Sequence, residues 1–317
     1  MAGVRTRPRT TPQRLGRIWA PVVVVFAAWP AVVRADWFCS PSEQWRAPIS
    51  RLFSIHEDNY FITGIPKDPK TSTNQVKFQI SFKFDLTPNE GPCGLFFAYT
   101  QRSLWNAYAA SSPFEDSNYN PQVFLVFGLK DISALRSLPP AGKFTFLWVR
   151  LGGEHESNGQ GGDTSRSWNR LFVSARFVIL WGSNSAFYLT LQPKLWWPFV
   201  SSDNPDLIDY VGYGELVSQI GWHYLFQSGR WQDLTLGVLL RKGTVGSYGT
   251  VQLTLNYRPP WMFTSFSFYA QAFFGYDETL LHYNQRTSVF RFGIAFDDRF
   301  SWLTGEPGTV TRPPPPP

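Results

Sequence analysis

The strongest constraint on the fold is an alternation of apolar and polar residues with a period of two. Between residues 76 and 86, every even position is apolar, and the odd positions are polar or charged, as at Lys83. The same pattern recurs at residues 234–240, 251–257 and 290–296, where the charged Arg291 lies on the face opposite the apolar one. Because successive side chains of a β-strand point to opposite faces, the pattern predicts strands with one apolar and one polar face.

Twelve segments of roughly ten residues show this strand pattern, and turn-forming residues separate them. They lie near residues 55–64, 75–87, 94–105, 120–129, 143–157, 167–181, 185–197, 208–224, 231–242, 248–257, 264–276 and 288–298. The eighth alternates most weakly, and we expect it to contain a bulge. The predicted fold class is all-β, a twelve-stranded antiparallel transmembrane β-barrel. A soluble β-sandwich is the alternative, since alternation alone does not show which face lies inside.

The N-terminal 35 residues have the layout of a cleavable secretory signal. A basic stretch precedes an apolar run from Ile18 to Val33, and the small residue Ala35 ends it before Asp36. An amphipathic transit peptide and a membrane anchor are the alternatives. The predicted organisation is a signal peptide at 1–35, a periplasmic N-terminal segment at 36–54, the barrel at 55–300 and a Pro-rich disordered tail at 301–317.

The charge balance argues against nucleic-acid binding. Six of the 29 basic residues lie in residues 1–35, which contain no acidic residue, so 23 basic residues face 23 acidic ones in the rest of the chain. A neutral protein has no net electrostatic attraction to a phosphate backbone. The two cysteines, Cys39 and Cys93, allow a disulfide in an exported protein, but the sequence does not show that they meet.

One segment, Gly152–Arg170, combines residue types that carry hydrolytic chemistry. His155 and Ser157 are two residues apart, so on a strand they share a face and lie about 6.6 Å apart along the chain. Gly161-Gly162 marks a hairpin tip, and a symmetric hairpin places Asn169 opposite His155. This arrangement predicts a nucleophile, a base and an orienting group. The alternative is a His-x-Ser triplet on an ordinary surface loop.

The face that carries these three residues is apolar along both strands. Steps of two give Gly153, Leu151, Val149 and Leu147 before His155, and Leu171, Val173, Ala175, Phe177 and Ile179 after Asn169. In a barrel such a face meets lipid, so the candidate site is expected on the outer wall, near the rim distal to the termini. A neutral amide suits this place, since a carboxylate facing lipid would be costly.

The hairpin resembles the active-site hairpin of the outer-membrane phospholipase A family, with His-x-Ser-Asn-Gly followed by Thr-Ser-Arg-Ser-Trp-Asn-Arg. Further matches lie at residues 99–101, 111–114, 118–122, 204–206, 210–213 and 275–278, and the resemblance covers essentially all of 55–300. It implies a multi-pass barrel of the bacterial outer membrane that is active as a calcium-bound homodimer. The implied substrates are the sn-1 and sn-2 acyl esters of membrane phospholipids and lysophospholipids.

The same resemblance implies roles for individual residues. Ser157 is expected as the nucleophile, His155 as the general base and Asn169 as its orienting partner. The Gly159 amide is expected to contribute to the oxyanion hole. The implied calcium ligands are the Ser165 hydroxyl, the Gln160 carbonyl and the Ser111 carbonyl of the partner subunit, with Gln101 on the dimer surface. Carbonyl and hydroxyl oxygens suit this hard cation.

Three features depart from the family pattern. Gln160–Asp163 replaces the usual basic, Pro-containing loop centre, which makes Asp163 a candidate extra ligand. The loop before Ser111 is shorter than usual, and the chain continues past Phe300, where family members end. The competing functions are a non-catalytic outer-membrane pore or scaffold barrel and a soluble β-sandwich esterase.

Overall fold

The computed structural model describes residues 53–66, 75–87, 93–128, 142, 144–182, 187–200, 202–223, 233–259 and 266–296. The strands are β1 Phe53–Ser54, β2 Asn59–Pro66, β3 Val76–Asp85, β4 Cys93–Trp105, β5 Phe114–Gly128, β6 Phe144–Ser157, β7 Ser167–Trp181, β8 Phe187–Val200, β9 Gly214–His223, β10 Asp233–Lys242, β11 Gly249–Arg258, β12 Phe266–Gly275 and β13 Thr287–Phe296. One helix, α1, spans Leu207–Val211, and a 3-10 turn spans Gly162–Thr164. The expected signal peptide and tail, nearly all of the N-terminal segment and Cys39 lie outside the described residues.

The strands form one closed antiparallel sheet. From β2 to β13 each strand pairs with its neighbours in chain order, and β13 pairs with β2, which closes the barrel. The short strand β1 pairs only with the end of β3, where Phe53 lies opposite Phe84. The prediction of a twelve-stranded antiparallel barrel is therefore confirmed, with β1 as a short addition. Within the described ranges, no helix is long and apolar enough to cross a membrane.

The apolar face of the strands points outward, and the polar face lines the lumen. On β13, Phe292 is 59% exposed, whereas the neighbouring Arg291 is 2% exposed. The same arrangement holds on β11, where Leu253 is exposed and Asn256 is buried. A soluble sheet buries its apolar face, but this outer wall is suited to contact with lipid. The closed barrel with an apolar outside excludes the β-sandwich alternative.

Three predicted strand boundaries are wrong. β2 begins at Asn59 instead of residue 55, and β5 begins at Phe114 instead of residue 120, because its distal end continues to pair with β4. The eighth segment contains a helix instead of the expected bulge. Leu207 and Val211 are four residues apart and both fully buried, so a helical period replaces the strand period before β9 begins.

One predicted outward residue points inward. The pairing of β6 with β7 shifts between Phe146 and Trp148, so Leu147 is an extra residue on β6. A bulge of this kind changes which face the following side chains occupy. Leu147 is 1% exposed and packs in the core, whereas Phe146 is exposed on the outside.

Five described loops, at residues 106–113, 158–166, 202–213, 243–248 and 276–286, lie at one end of the barrel, here called the distal end. The last of these loops reaches across the lumen to β5. The backbone N–H of Leu280 donates to Asn118 Oδ1 at 3.0 Å, and that of Leu281 donates to Asp116 Oδ2 at 3.0 Å. Glu278 of the same loop forms ion pairs with Lys77 of β3 and Arg291 of β13. A lumen filled in this way does not favour the alternative of an open pore.

Two adjacent glycines on β6 provide a test of the strand faces. A Cβ on Gly152, on the luminal face, would lie 2.3 Å from the Val123 carbonyl oxygen, whereas one on Gly153 would meet only Leu171 Cδ2, at 3.7 Å. We expect Gly152→Ala to lower the free energy of unfolding by about 1–3 kcal/mol through overpacking. Gly153→Ala should leave it unchanged or slightly raised. Thermal unfolding in detergent micelles measures both, and equal stability of the two variants would contradict the assigned faces.

Candidate active site

The pairing of β6 with β7 places His155 directly opposite Asn169 and Ser157 opposite Ser167, which confirms the predicted hairpin register. His155 Nδ1 lies 3.0 Å from Asn169 Oδ1. Because an amide oxygen only accepts hydrogen bonds, this contact assigns the ring proton to Nδ1. The other ring nitrogen, Nε2, then keeps its lone pair and can accept a proton.

Ser157 lies on the same outward face of β6 as His155, and both side chains are half-buried. Its cross-strand neighbour on the other side is Tyr119 of β5. The hydrogen bonds of the described residues include none between Ser157 and His155. Such bonds are often long before a substrate binds, so spacing and face are the relevant geometry here. The face is apolar, as predicted, with Leu151 and Leu171 exposed along the two strands.

A luminal charge cluster holds the same two strands from the inside. Glu154 and Glu156 flank His155 on the opposite face of β6, and both carboxylates form ion pairs with Arg170, the residue after Asn169. Lys194 Nζ adds a contact of 3.0 Å to Glu154 Oε2. The backbone on both sides of the outward pair is therefore fixed by charges inside the barrel. Sequence reasoning missed this cluster, although the strand alternation places all three of the residues at 154, 156 and 170 on the luminal face.

The loop between β6 and β7 is organised by a buried asparagine. Asn158 Nδ2 donates to the Thr164 carbonyl at 2.9 Å, and Asn158 Oδ1 accepts from the backbone N–H groups of Gln160 and Arg166 at 3.3 and 3.0 Å. Gly159 has a φ of 66°, and a Cβ there would lie 3.0 Å from Tyr119 Cε2. Glycine is therefore required at this position, and the loop holds its shape without a proline.

Ser165 lies beside a carboxylate that sequence reasoning missed. Its Oγ donates to Asp203 Oδ2 at 2.8 Å, and Ser167 Oγ donates to the same oxygen at 3.0 Å. These two hydrogen bonds hold the pKa of the exposed Asp203 carboxyl below its ordinary value, so the group is anionic at neutral pH. Asp203 is 38 residues from Ser165 in sequence, and the one signal near it was the matching Asn204-Pro205-Asp206 stretch.

The other two predicted calcium ligands lie on exposed loops at the same end. Gln160 is in the loop with Ser165, and Ser111 is on the separate 106–113 loop. Ser111 and Ser112 both have positive φ, at 64° and 40°, a conformation that costs roughly 1–3 kcal/mol per non-glycine residue. A hydrogen bond from the end of β4 holds this shape, because Trp105 Nε1 donates to the Ser112 carbonyl at 2.9 Å.

Acidic and histidine side chains do not form a metal site by themselves. The described part of the chain has no group of three or more His, Cys, Asp or Glu side chains arranged to hold a metal ion. The calcium ligands expected from the sequence are instead a serine hydroxyl and backbone carbonyl oxygens. A site built from them does not require a cluster of His, Cys, Asp or Glu side chains. The Ser165 hydroxyl beside an ionised carboxylate fits a hard cation, because calcium prefers oxygen ligands of both kinds.

These features define a membrane β-barrel with a serine, a histidine and an asparagine close together on its lipid-facing wall. The sequence model of the family described as Phospholipase A1 matches residues 50–296, and the chain belongs to this family. The barrel and its similarity to outer membrane phospholipases identify it as a multi-pass protein of the outer membrane.

Relatives from several bacteria are similar to this chain. Phospholipase A1 of Escherichia coli (strain K12) is 34% identical over 236 residues, which cover 72% of this chain and 71% of that protein. A putative phospholipase A1 of Neisseria meningitidis serogroup B is 30% identical over 235 residues, but the match spans only 55% of that protein.

Two solved structures resemble the barrel. Outer membrane phospholipase A from Escherichia coli superposes with a TM-score of 0.64 at 28% identity, over 82% of this chain and 97% of that one. The Salmonella typhi outer membrane phospholipase dimer with bound calcium has a TM-score of 0.62 at 28% identity, with the same coverage.

The buried asparagine of the 158–166 loop can be tested directly. Asn158→Ala leaves the N–H groups of Gln160 and Arg166 without their acceptor, at a cost of about 1–3 kcal/mol for each group that stays buried. We expect faster amide hydrogen exchange across residues 158–166 and little change in the unfolding temperature of the barrel. Thr164→Val, which removes one exposed hydroxyl bond to Gly161, is the matched control. Unchanged exchange in Asn158→Ala would show that this residue does not organise the loop.

Proposed function

We propose that the chain is an outer-membrane phospholipase A that hydrolyses sn-1 and sn-2 acyl esters of phospholipids and lysophospholipids, depends on calcium and acts as a homodimer. The observation that carries the proposal is the 3.0 Å contact of His155 Nδ1 with Asn169 Oδ1 on the outward face, two residues from Ser157. The membership in the phospholipase A1 family supports the class of reaction.

In the first half of the proposed reaction, Ser157 Oγ attacks the carbonyl carbon of the ester. His155 Nε2 takes the hydroxyl proton, while Asn169 accepts a hydrogen bond from Nδ1 and keeps the ring oriented. The tetrahedral intermediate carries its negative charge on the former carbonyl oxygen. When it collapses, the bond to the alcohol oxygen breaks, and that oxygen takes the proton from His155. A lysophospholipid, or a deacylated product, leaves, and the acyl group remains on Ser157.

The second half repeats these steps with water as the nucleophile. Water gives a proton to His155 Nε2 as its oxygen attacks the acyl carbon, and the bond to Ser157 Oγ breaks with return of the proton. The Gly159 N–H is our candidate donor to the oxyanion in both halves, since its positive φ turns the backbone at the residue two after Ser157. The released product is a fatty acid.

The position on the outer wall suits both substrate and base. Phospholipids reach an outward site by lateral diffusion, whereas a luminal site would be closed to them. An Asp in place of Asn169 would place a charge beside the lipid, which is costly. The neutral amide of Asn169 orients the imidazole without that cost.

The residues at the distal rim fit a calcium ion. The proposed ligands are the Ser165 hydroxyl, the Gln160 carbonyl and the Ser111 carbonyl of the partner subunit. Asp203 would add the negative charge, since it already accepts a hydrogen bond from Ser165. When bound, a divalent cation here would supply positive charge near the developing oxyanion.

A dimer is supported by a polar residue on the lipid-facing wall. Gln101 lies on the outward face of β4, where it accepts a hydrogen bond from Tyr99 Oη at 3.1 Å and donates one to Ser103 Oγ at 3.2 Å. Polar side chains facing lipid are rare and mark contacts with a partner. We propose that this surface meets the second subunit, which would bring Ser111 of each chain to the calcium site of the other.

The three outward residues should contribute unequally. We expect Ser157→Ala and His155→Ala to lower kcat for phospholipid hydrolysis in detergent micelles by at least about 10²–10⁴-fold, since each removes a reacting group. Asn169→Ala should cost less, because that residue only orients the base. Circular dichroism and thermal unfolding confirm that each variant folds. Normal turnover in folded Ser157→Ala would overturn the proposal.

The calcium requirement should depend on Asp203. We expect Asp203→Asn to raise the calcium concentration for half-maximal activity on the order of tenfold, which is about 1.4 kcal/mol. Asp163→Asn is the matched control, because Asp163 is an exposed carboxylate in the same loop as Ser165. Full activity of the wild type in excess chelator would remove calcium from the mechanism. An effect of Asp163→Asn alone would instead assign the charge to Asp163.

A further inference from the structure

We propose that the acyl chain of the substrate runs along the outer face of β6 into a notch at Gly153, and that this residue sets the preferred acyl chain length. The inference rests on the proposed function, because it takes Ser157 as the residue that attacks the ester. It adds a specificity-determining position to that site.

The notch is a gap in the apolar outer wall. Gly153 is two residues from His155 on the same face, and its cross-strand neighbours are Val123 of β5 and Leu171 of β7. These neighbours are large and exposed, at 48% and 45%. Within 4 Å, a Cβ on Gly153 would meet only Leu171 Cδ2, at 3.7 Å. A side chain is therefore missing from the wall between two side chains that are present.

The backbone does not explain the glycine. Gly153 has no positive φ, and its missing Cβ would not clash, in contrast to the adjacent Gly152. Glycine weakens a strand, and in a strand interior it often marks a place where a ligand approaches closely. Since neither turn geometry nor packing requires glycine here, close approach of a ligand is the remaining physical reason.

The position of the notch matches an acyl chain held at Ser157. Four residues separate Ser157 from Gly153, which is about 13 Å along a strand. An extended hydrocarbon chain covers this distance in about ten carbon atoms, because each C–C bond of about 1.5 Å advances it by somewhat less than its length. The direction from Ser157 to Gly153 also leads from the distal rim toward the membrane interior, as an acyl chain does.

The occupant we assign is the substrate's acyl chain, because the notch is continuous with the reacting residues on one strand. A short acyl group would end before Gly153, whereas a long one would lie over it. A bulky side chain at this position should therefore obstruct long acyl groups far more than short ones. If a second copy of this chain occupied the notch instead, a bulky side chain at Gly153 would change the oligomeric state of the protein.

The experiment compares Gly153→Ala, Gly153→Val and Gly153→Phe on micellar phospholipids with acyl groups from hexanoyl to hexadecanoyl. We expect the kcat/KM ratio of hexadecanoyl to hexanoyl substrate to fall with side-chain volume, on the order of tenfold for Phe. The change should begin near decanoyl. If Gly153→Phe does not fold, the Ala and Val variants still give the trend. Leu253→Phe, at an exposed position of β11, is the matched control.

An unchanged chain-length profile in an active Gly153→Phe variant would overturn the proposal that the acyl chain occupies the notch. So would a loss of equal factor for all acyl lengths, or a change in the dimer fraction measured by sedimentation without a change in the profile. These results differ from a failure of the proposed function, which would appear as hydrolysis of the hexanoyl substrate by folded Ser157→Ala.

Discussion

The ion pairs of Arg170 with Glu154 and Glu156 are the interaction on which the outward site depends. Charges buried in a protein interior stabilise it only when each is paired, and removal of one partner is strongly destabilising. Here the pairs join β6 to β7 at the residues on either side of His155 and Asn169. The luminal face thus fixes the positions of His155 and Asn169, so the outward face needs no charged side chains to hold them. Because side chains alternate between the two faces of a strand, the residues that hold the site are separate from the residues that form it.

The fold could be predicted largely from the period of the sequence. Alternating segments such as residues 76–86 specify strands. Their number, and a length sufficient to cross a bilayer, indicate a barrel whose apolar outer wall contacts lipid. The errors lie where local sequence is ambiguous. Leu207 and Val211 fit a helix as well as a strand, and Leu147 is turned inward by a bulge that pairing alone determines. Both depend on packing against other strands.

The candidate site was predictable where it lies within one hairpin. The Gly161-Gly162 tip specified the register, so the sequence alone was enough to place His155 and Asn169 opposite each other. Asp203 could not be found in this way, because its contact with Ser165 joins two different loops. Asn158 was part of the recognised motif, but its role in holding the loop follows only from its burial and three hydrogen bonds. The roles in catalysis remain proposals that the family membership supports.

The loop between β12 and β13 has a consequence for the fate of the products. It is tied to β5 across the distal mouth through Leu280 and Leu281, so it occupies part of the luminal opening at that end of the described barrel. In the proposed reaction, a fatty acid or lysophospholipid formed beside His155 would lie on the outward face and would enter the surrounding leaflet sideways. Its local concentration would be set by how fast lipids exchange around the barrel. The fluidity of the bilayer, more than the solubility of the products in water, would then determine how quickly the products leave the outer wall and the next phospholipid can bind.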